Sequence, residues 1–176
     1  MSQYPWFEQK KVYKSFGQYY SYRKNPDLYN SHDWTNKIIL LKECNKRAIR
    51  EIYNIINKLI PSSITLAVVP SSDPKKEEYG IGLLAAKLVK SRSRYDATDC
   101  LIRRYKVRKQ SMSGIRLPRG RQAKSISIQK TRKIKGKDIL LLDDVRTTGV
   151  SLEVCEAKLL KAGARSVKRV CLAQTV

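Results

Sequence analysis

Residues 139–151 read ILLLDDVRTTGVS. Four aliphatic residues without a polar break fit a strand buried on both faces, as in the middle of a parallel sheet. The run meets Asp143 and Asp144, where the buried strand is expected to end, and Thr147-Thr148-Gly149-Val150-Ser151 follows as a tight turn. Leu152, Cys155, Leu159 and Leu160 then supply the apolar face of a helix over about 151–162. Gly163 stands where a left-handed C′ residue belongs, and VKRVCLA (167–173) reads as the next strand. Strand, loop, helix and strand within 139–173 have the size of a βαβ unit.

Outward from this unit the pattern repeats. SITLAVV (63–69) is a second buried-strand candidate, Pro70-Ser71-Ser72-Asp73-Pro74 a loop, and GIGLLAAKLVK (80–90) a short apolar helix. Ile38, Leu41, Ile49, Ile52, Ile56 and Leu59 recur at helical spacing, which predicts helix over 34–60, stopped by Pro61. FGQYYSYR (16–23) alternates loosely, as a strand or hairpin arm, and Ser31 or Asp33 is placed to cap a helix. CLIR (100–103) and SISIQ (125–129) are further strand candidates, separated by a cation-rich segment, 104–124, that reads as a long mobile loop. Alternating strands and helices predict an α/β fold, a mostly parallel central sheet with flanking helices on both faces. The expected organisation is a tyrosine-rich N-terminal arm and helix over 1–61, in the same domain as a core over 62–176.

Charge sets the chain apart. Its 37 Lys and Arg against 15 Asp and Glu give +22, with a pI near 10.1. Such a field attracts polyanions. No apolar run approaches the roughly 20 residues of a membrane span, and the first residues lack the apolar core of a signal peptide, so a cytoplasmic protein is expected. Cys44, Cys100, Cys155 and Cys171 are scattered without a C-x-x-C pair, which points to packing rather than to zinc or disulfides.

The chemistry of 139–151 follows from its place. In open α/β sheets ligands bind beyond the carboxyl ends of the strands. Two carboxylates there suit a diol, or a magnesium ion held through water. Hydroxyls and free N–H groups at a helix N-terminus suit a phosphate, and Gly149 lets backbone approach it closely. Diol and phosphate on adjacent anchors describe a ribose 5-phosphate.

The same stretch resembles the ribose-phosphate signature of type I phosphoribosyltransferases: four apolar residues, two acids, two further residues, then T-T-G-x-S. The resemblance implies that Asp143 and Asp144 hold the ribose hydroxyls and that Thr147, Thr148, Gly149, Val150 and Ser151 line the 5′-phosphate loop. It also implies phosphoribosyl pyrophosphate as ligand, Mg²⁺ as cofactor, and displacement of pyrophosphate by a nitrogen base, with Asp143 and Asp144 beside the reacting sugar. Arg146 departs from the pattern, which has an apolar residue there; the cation would add phosphate affinity or point into solvent. LAVVPSSDPKKEEYGIGLLAAKL (66–88) is similar to the segment of the ComF-like subgroup that contacts pyrophosphate, which would make Val69, Pro70, Ser71 and Ser72 the pyrophosphate loop. RRYKVRKQSMSGIRLPRGRQAKSISI (103–128) shares that subgroup's layout, although its arginine and asparagine are imperfect here. The four-cysteine zinc module common in the subgroup is missing. In this family a variable hood reads the base, a part that falls to the N-terminal segment.

Residues 87–137 hold 18 Lys or Arg against Asp96 and Asp99, sixteen of the chain's +22 charges. Arg103, Arg104, Lys106, Arg108, Lys109, Arg116, Arg119, Arg121 and Lys124 are the cations that would line the loop or bind nucleic acid. A pyrophosphate needs a few cations, not eighteen, and self-repulsion on this scale does not help folding. Two functions therefore stand: a transferase acting on phosphoribosyl pyrophosphate, or a module of the same fold that binds a nucleotide or nucleic acid, with a competence, defence or DNA-processing role by association. A homodimer or a subunit of a larger complex fits either. Six of the ten tyrosines lie in residues 1–31, placed to pack on a sheet or to stack on bases.

Overall fold

The computed structural model describes residues 13–107 and 119–176. Its centre is strand β7 (Asp138–Arg146), whose residues Ile139 to Leu142 are fully buried. On one side β7 pairs with β3 (Thr65–Val68), and β3 with the two-residue β4 (Tyr95–Asp96). On the other it pairs with β8 (Ser166–Thr175), which carries β1 (Tyr13–Ser15) and β2 (Gln18–Tyr19) on its outer edge. All six strands are parallel. A separate antiparallel ribbon joins β5 (Leu101–Arg103) to β6 (Ile126–Ile128).

Period-two alternation sends successive side chains of the central strands to two cores. Leu66, Val68, Leu140 and Leu142 face one layer. That layer comprises α2 (Asp33–Lys42), α3 (Lys46–Ile56) and α4 (Gly80–Val89), with the short α1 (Pro26–Ser31) packed against α2. Ala67, Val69, Ile139 and Leu141 face the other core, closed by α6 (Val150–Lys161) and the β5–β6 ribbon. From β3 the chain steps outward to β4. It then returns to β7 beside β3 and steps the other way to β8. The switch point lies between β3 and β7, the place where open α/β sheets bind ligands.

The α/β class and the parallel sheet match the expectation, and four local features differ. The predicted helix over 34–60 is two helices: Cys44 takes a left-handed conformation (φ 61°), and the Asn45 side chain accepts from Arg47 N and Ala48 N to start α3 afresh. The cap before α2 is His32, whose Nδ1 accepts from Thr35 N, rather than Ser31 or Asp33. Residues 119–124, expected as the end of the loop, and Ser125, expected to open the next strand, form helix α5 (Arg119–Ser125), which buries Gln122 and Ser125 while its cations face outward. Of the expected strand arm 16–23 only Gln18–Tyr19 is strand; β2 continues the core sheet itself, as does β1 just before the arm. Tyr19 packs into the first core, with Tyr29 edge-on at 6.5 Å, so these rings serve packing.

Candidate active site

The carboxyl ends of β3 and β7 leave the sheet side by side. Val68 pairs with Leu142, and Val69 N donates to Leu142 O at 2.9 Å, which sets the loop after β3 next to Asp143. The strand runs past both acids to Arg146, so Asp143 and Asp144 are strand residues rather than the start of a loop. Alternation sends them to opposite sides. Asp144 meets the Lys42 ammonium at 3.8 Å, and Lys42 also lies 4.7 Å from the Tyr19 ring centroid. Asp143 stands toward Tyr79, Arg103 and Cys155. Burial, then the charge of Asp144, raises the Asp143 carboxyl well above its ordinary range. Burial and the nearby Asp143 push the Tyr79 hydroxyl up to about 12. Burial, reinforced by Asp143, also raises the Cys155 thiol, which keeps it protonated. Cys100, Cys155 and Cys171 are buried packing residues, as the scattered sequence positions suggested.

The turn after β7 closes onto α6. Gly149 is buried at the N-cap with φ 83°, and the helix start has no side-chain cap. The positive φ favours glycine at 149, and a Cβ there would stand 2.7 Å from Arg146 Nε and displace that flexible side chain. Arg146 does not point into solvent. It is half-buried across the turn, and its Nη1 donates to Gln174 Oε1 at 3.0 Å. Thr147 Oγ1 lies 3.1 Å from Thr175 Oγ1, which ties the turn to the end of β8. Ser151 Oγ accepts from Gln122 Nε2 at 2.7 Å.

The loop after β3 is fastened from below. Arg103, grouped by the sequence with the surface cations, is only 8% exposed. Its Nε donates to Ser71 O at 3.0 Å, Nη2 to Pro70 O at 3.3 Å and Nη1 to Ser125 Oγ at 2.6 Å. Burial lowers its pKa. Val107 N donates to Ser72 O at 2.9 Å, and Lys106 pairs with Asp73 at 2.8 Å. Arg103 and Lys106 therefore brace residues 70–73, whereas Arg104, Arg119, Arg121 and Lys124 are exposed. Arg108, Lys109 and Arg116 lie outside the described residues.

A cavity of about 510 Å³ opens beside this loop, lined by Pro70, Ser71, Tyr79, Thr98, Asp99 and Arg103 among others. It takes in the Pro70–Ser71 side of the site, and Tyr79 forms the wall toward Asp143. Asp143, Asp144 and residues 147–151 are not among its lining residues, so the acids and the glycine turn form a second, adjoining part of the same sheet edge. Sequence reasoning missed Lys42, Tyr79 and Gln122. Lys42 carried no signal of its own, because the helical pattern in the sequence runs on past it.

Among the described residues no group of three or more His, Cys, Asp or Glu side chains converges as a metal cage. The acid pair still suits a cation. Asp143 is raised partly by Asp144, and Lys42 is the cation placed against Asp144. Such a pair fits magnesium whose remaining ligands are water and substrate oxygens.

A parallel sheet with its switch point at β3 and β7, acids at that edge and a glycine turn entering a helix define an open α/β protein with its candidate site at the switch point. Residues 87–175 match the model of the phosphoribosyl transferase domain family, just over half of the 176 residues, and the chain belongs to that family. Among solved structures it is similar to a Leishmania donovani UMP synthase, at 15% identity and TM-score 0.42, covering 77% of this chain and 24% of that one. It is also similar to a purine phosphoribosyltransferase from Pyrococcus horikoshii Ot3, at 20% identity and TM-score 0.36, covering 94% and 78%. A Staphylococcus aureus hypoxanthine phosphoribosyltransferase follows at 14% identity and TM-score 0.34, covering 80% and 64%. The chain spans about a quarter of the length of the UMP synthase. Comparison with curated proteins finds no match. Among the described residues no helix is long and apolar enough to cross a membrane.

Proposed function

We propose that this chain binds phosphoribosyl pyrophosphate with Mg²⁺ and transfers the phosphoribosyl group to a nitrogen nucleophile, as a ComF-like member of its family. One observation carries the reading: the loop after β3, the acids of β7 and the N-terminus of α6 meet at the switch point of the sheet. In this arrangement Asp143 and Asp144 reach the ribose diol from its two sides. Thr147 to Ser151 receive the 5′-phosphate through the threonine hydroxyls, backbone N–H groups and the positive end of α6. Residues 69–72, held by Arg103, take the pyrophosphate. Mg²⁺, held through water by the two acids, would offset pyrophosphate charge when bound. The carboxylates also stabilise positive charge developing on the sugar. The N-terminal segment supplies Tyr19 and Lys42 beside Asp144, which supports its part in receiving the acceptor. Titration calorimetry with phosphoribosyl pyrophosphate and Mg²⁺ is expected to give saturable binding that weakens sharply without the metal. Absence of heat and of competition by 5′-mononucleotides at millimolar ligand would overturn the assignment.

A second reading has its own support in α5, where Arg119, Arg121 and Lys124 stand exposed beside Arg104, and Arg119 meets Glu153 only at 3.9 Å. This face fits the phosphate backbone of a nucleic acid. Gel shifts against single- and double-stranded oligonucleotides are expected to show affinity falling steeply between 50 and 200 mM salt, roughly tenfold for every two phosphates neutralised. No shift at the lower salt would remove this role.

A further inference from the structure

Gln122 is 4% exposed, a buried polar residue on an otherwise cationic helix. Its Nε2 donates to Ser151 Oγ at 2.7 Å, while its Oε1 is buried and has no partner among the described residues. Native proteins rarely leave such an atom unmatched without a use for it. Helix α5 is otherwise well held: Ser125 Oγ donates to Gln122 O at 2.7 Å and accepts from Arg103, which in turn grips the carbonyls of Pro70 and Ser71. A buried polar chain thus runs from the loop after β3, through α5, to the second residue of α6.

The unmatched atom has a chemical direction. A serine hydroxyl both donates and accepts, so the carboxamide has two settings against Ser151. With Nε2 turned to Ser151, the acceptor Oε1 is left over. With Oε1 turned to Ser151, an N–H donor is left over instead. That donor would lie beside an uncapped helix N-terminus, where Gly149 brings no side chain and the free N–H groups favour an anion. An anion takes donors only, so its arrival selects the second setting and gives the carboxamide a partner at both its oxygen and its nitrogen.

We propose that Gln122 is a contact residue for the phosphate group bound at the start of α6, turning its carboxamide so that Nε2 faces the anion and Oε1 faces Ser151. This rests on the phosphate site proposed above and adds a side chain from outside the 139–151 stretch.

The test uses ribose 5-phosphate as probe on the full chain, with pyrophosphate as control. Gln122→Leu keeps the volume and removes the unmatched oxygen, so its melting temperature is expected to equal or exceed that of the wild type. Its affinity for ribose 5-phosphate should fall about tenfold while pyrophosphate binding changes less than twofold. In glutamine-labelled protein, the side-chain amide resonances assigned by Gln122→Asn should shift when ribose 5-phosphate is added. If the wild type binds the sugar phosphate but Gln122→Leu binds it equally, or the Gln122 amide does not shift, the Gln122 proposal fails and the phosphate site stands. Failure of the wild type to bind ribose 5-phosphate overturns both. Should Gln122→Leu not fold, the amide shift alone decides.

Discussion

Asp143→Asn is expected to melt at a higher temperature than the wild type and to bind phosphoribosyl pyrophosphate at least about 30-fold more weakly, the loss expected of a charged hydrogen bond to a ligand hydroxyl. Both effects have one cause. Asp143 is forced into a poorly solvated place beside Asp144, and burial and that neighbour raise its carboxyl well above the ordinary 3.8. In the folded chain it therefore keeps its proton to a higher pH than in the unfolded chain. Its contribution to stability is greatest at low pH, where both states are protonated. It falls as pH rises from the ordinary carboxylate range to the raised folded value, and stays low above. Asparagine cannot ionise, so the gap in stability between variant and wild type should open as pH rises above about 4 and then level off. The gain at neutral pH is about 1 kcal/mol, typical when a group kept for function is neutralised. Urea melts at several pH values in metal-free buffer, paired with calorimetry, measure both. A wild type as stable as the variant at every pH would refute the electrostatic account, and unchanged affinity would refute the ribose role.

Much of this was legible in the chain, for reasons that particular residues make plain. Ile139 to Leu142 and Leu66 to Val69 are apolar without alternation because both faces of their strands are covered, and that pattern marks central parallel strands. Gly163, with φ 93°, ends α6 as its position indicated. The signature 143–151 identified its own loop because backbone conformation and chemistry there depend on neighbours in sequence. What escaped depended on partners far away. Tyr95 and Asp96 form a strand only because β3 offers an edge, and both side chains are exposed. Cys44 divides a continuous helical pattern, since periodicity does not register one left-handed residue. The cations of 119–124 hid a helix, because its buried side is polar, Gln122 and Ser125, and no apolar stripe betrays it. Arg103 was counted as a surface charge, yet three distant oxygens receive it inside the protein. Leu59 and Leu160 complete helical stripes in the sequence but are 38% and 45% exposed, Leu59 in the turn after α3 and Leu160 on the outward face of α6.

Arg94 is the clearest case of an arginine turned inward, and its replacement by methionine is expected to cost about 4 kcal/mol. The residue is 5% exposed. Its Nε donates to Pro61 O at 3.0 Å, and Nη2 to Asn57 O at 2.8 Å and Ile60 O at 2.7 Å. Its Nη1 serves Asn57 Oδ1 at 2.6 Å, Leu88 O at 3.0 Å and Ser91 Oγ at 3.0 Å. These oxygens belong to the ends of α3 and α4 and the turns after them, where helix carbonyls lack partners along the chain. One guanidinium therefore closes two helix C-termini, and its positive charge meets the negative end of both dipoles. Methionine fills the space but leaves several carbonyls buried and unmatched, at about 1–3 kcal/mol each before relaxation. Lysine restores the charge without the planar fork, so Arg94→Lys should recover no more than about half of the loss. On a domain of this size each kcal/mol moves the melting temperature by about 2–4 °C, so the methionine variant should melt roughly 10 °C lower. Because α4 begins at Gly80, directly after Tyr79, and α2 ends at Lys42, loosening this corner should also lower ligand affinity, though less than Asp143→Asn does. Urea midpoints for wild type, Arg94→Lys and Arg94→Met settle the order. A methionine variant within 1 kcal/mol of wild type would show that water or neighbouring donors replace the guanidinium, and that the two helix ends do not depend on it.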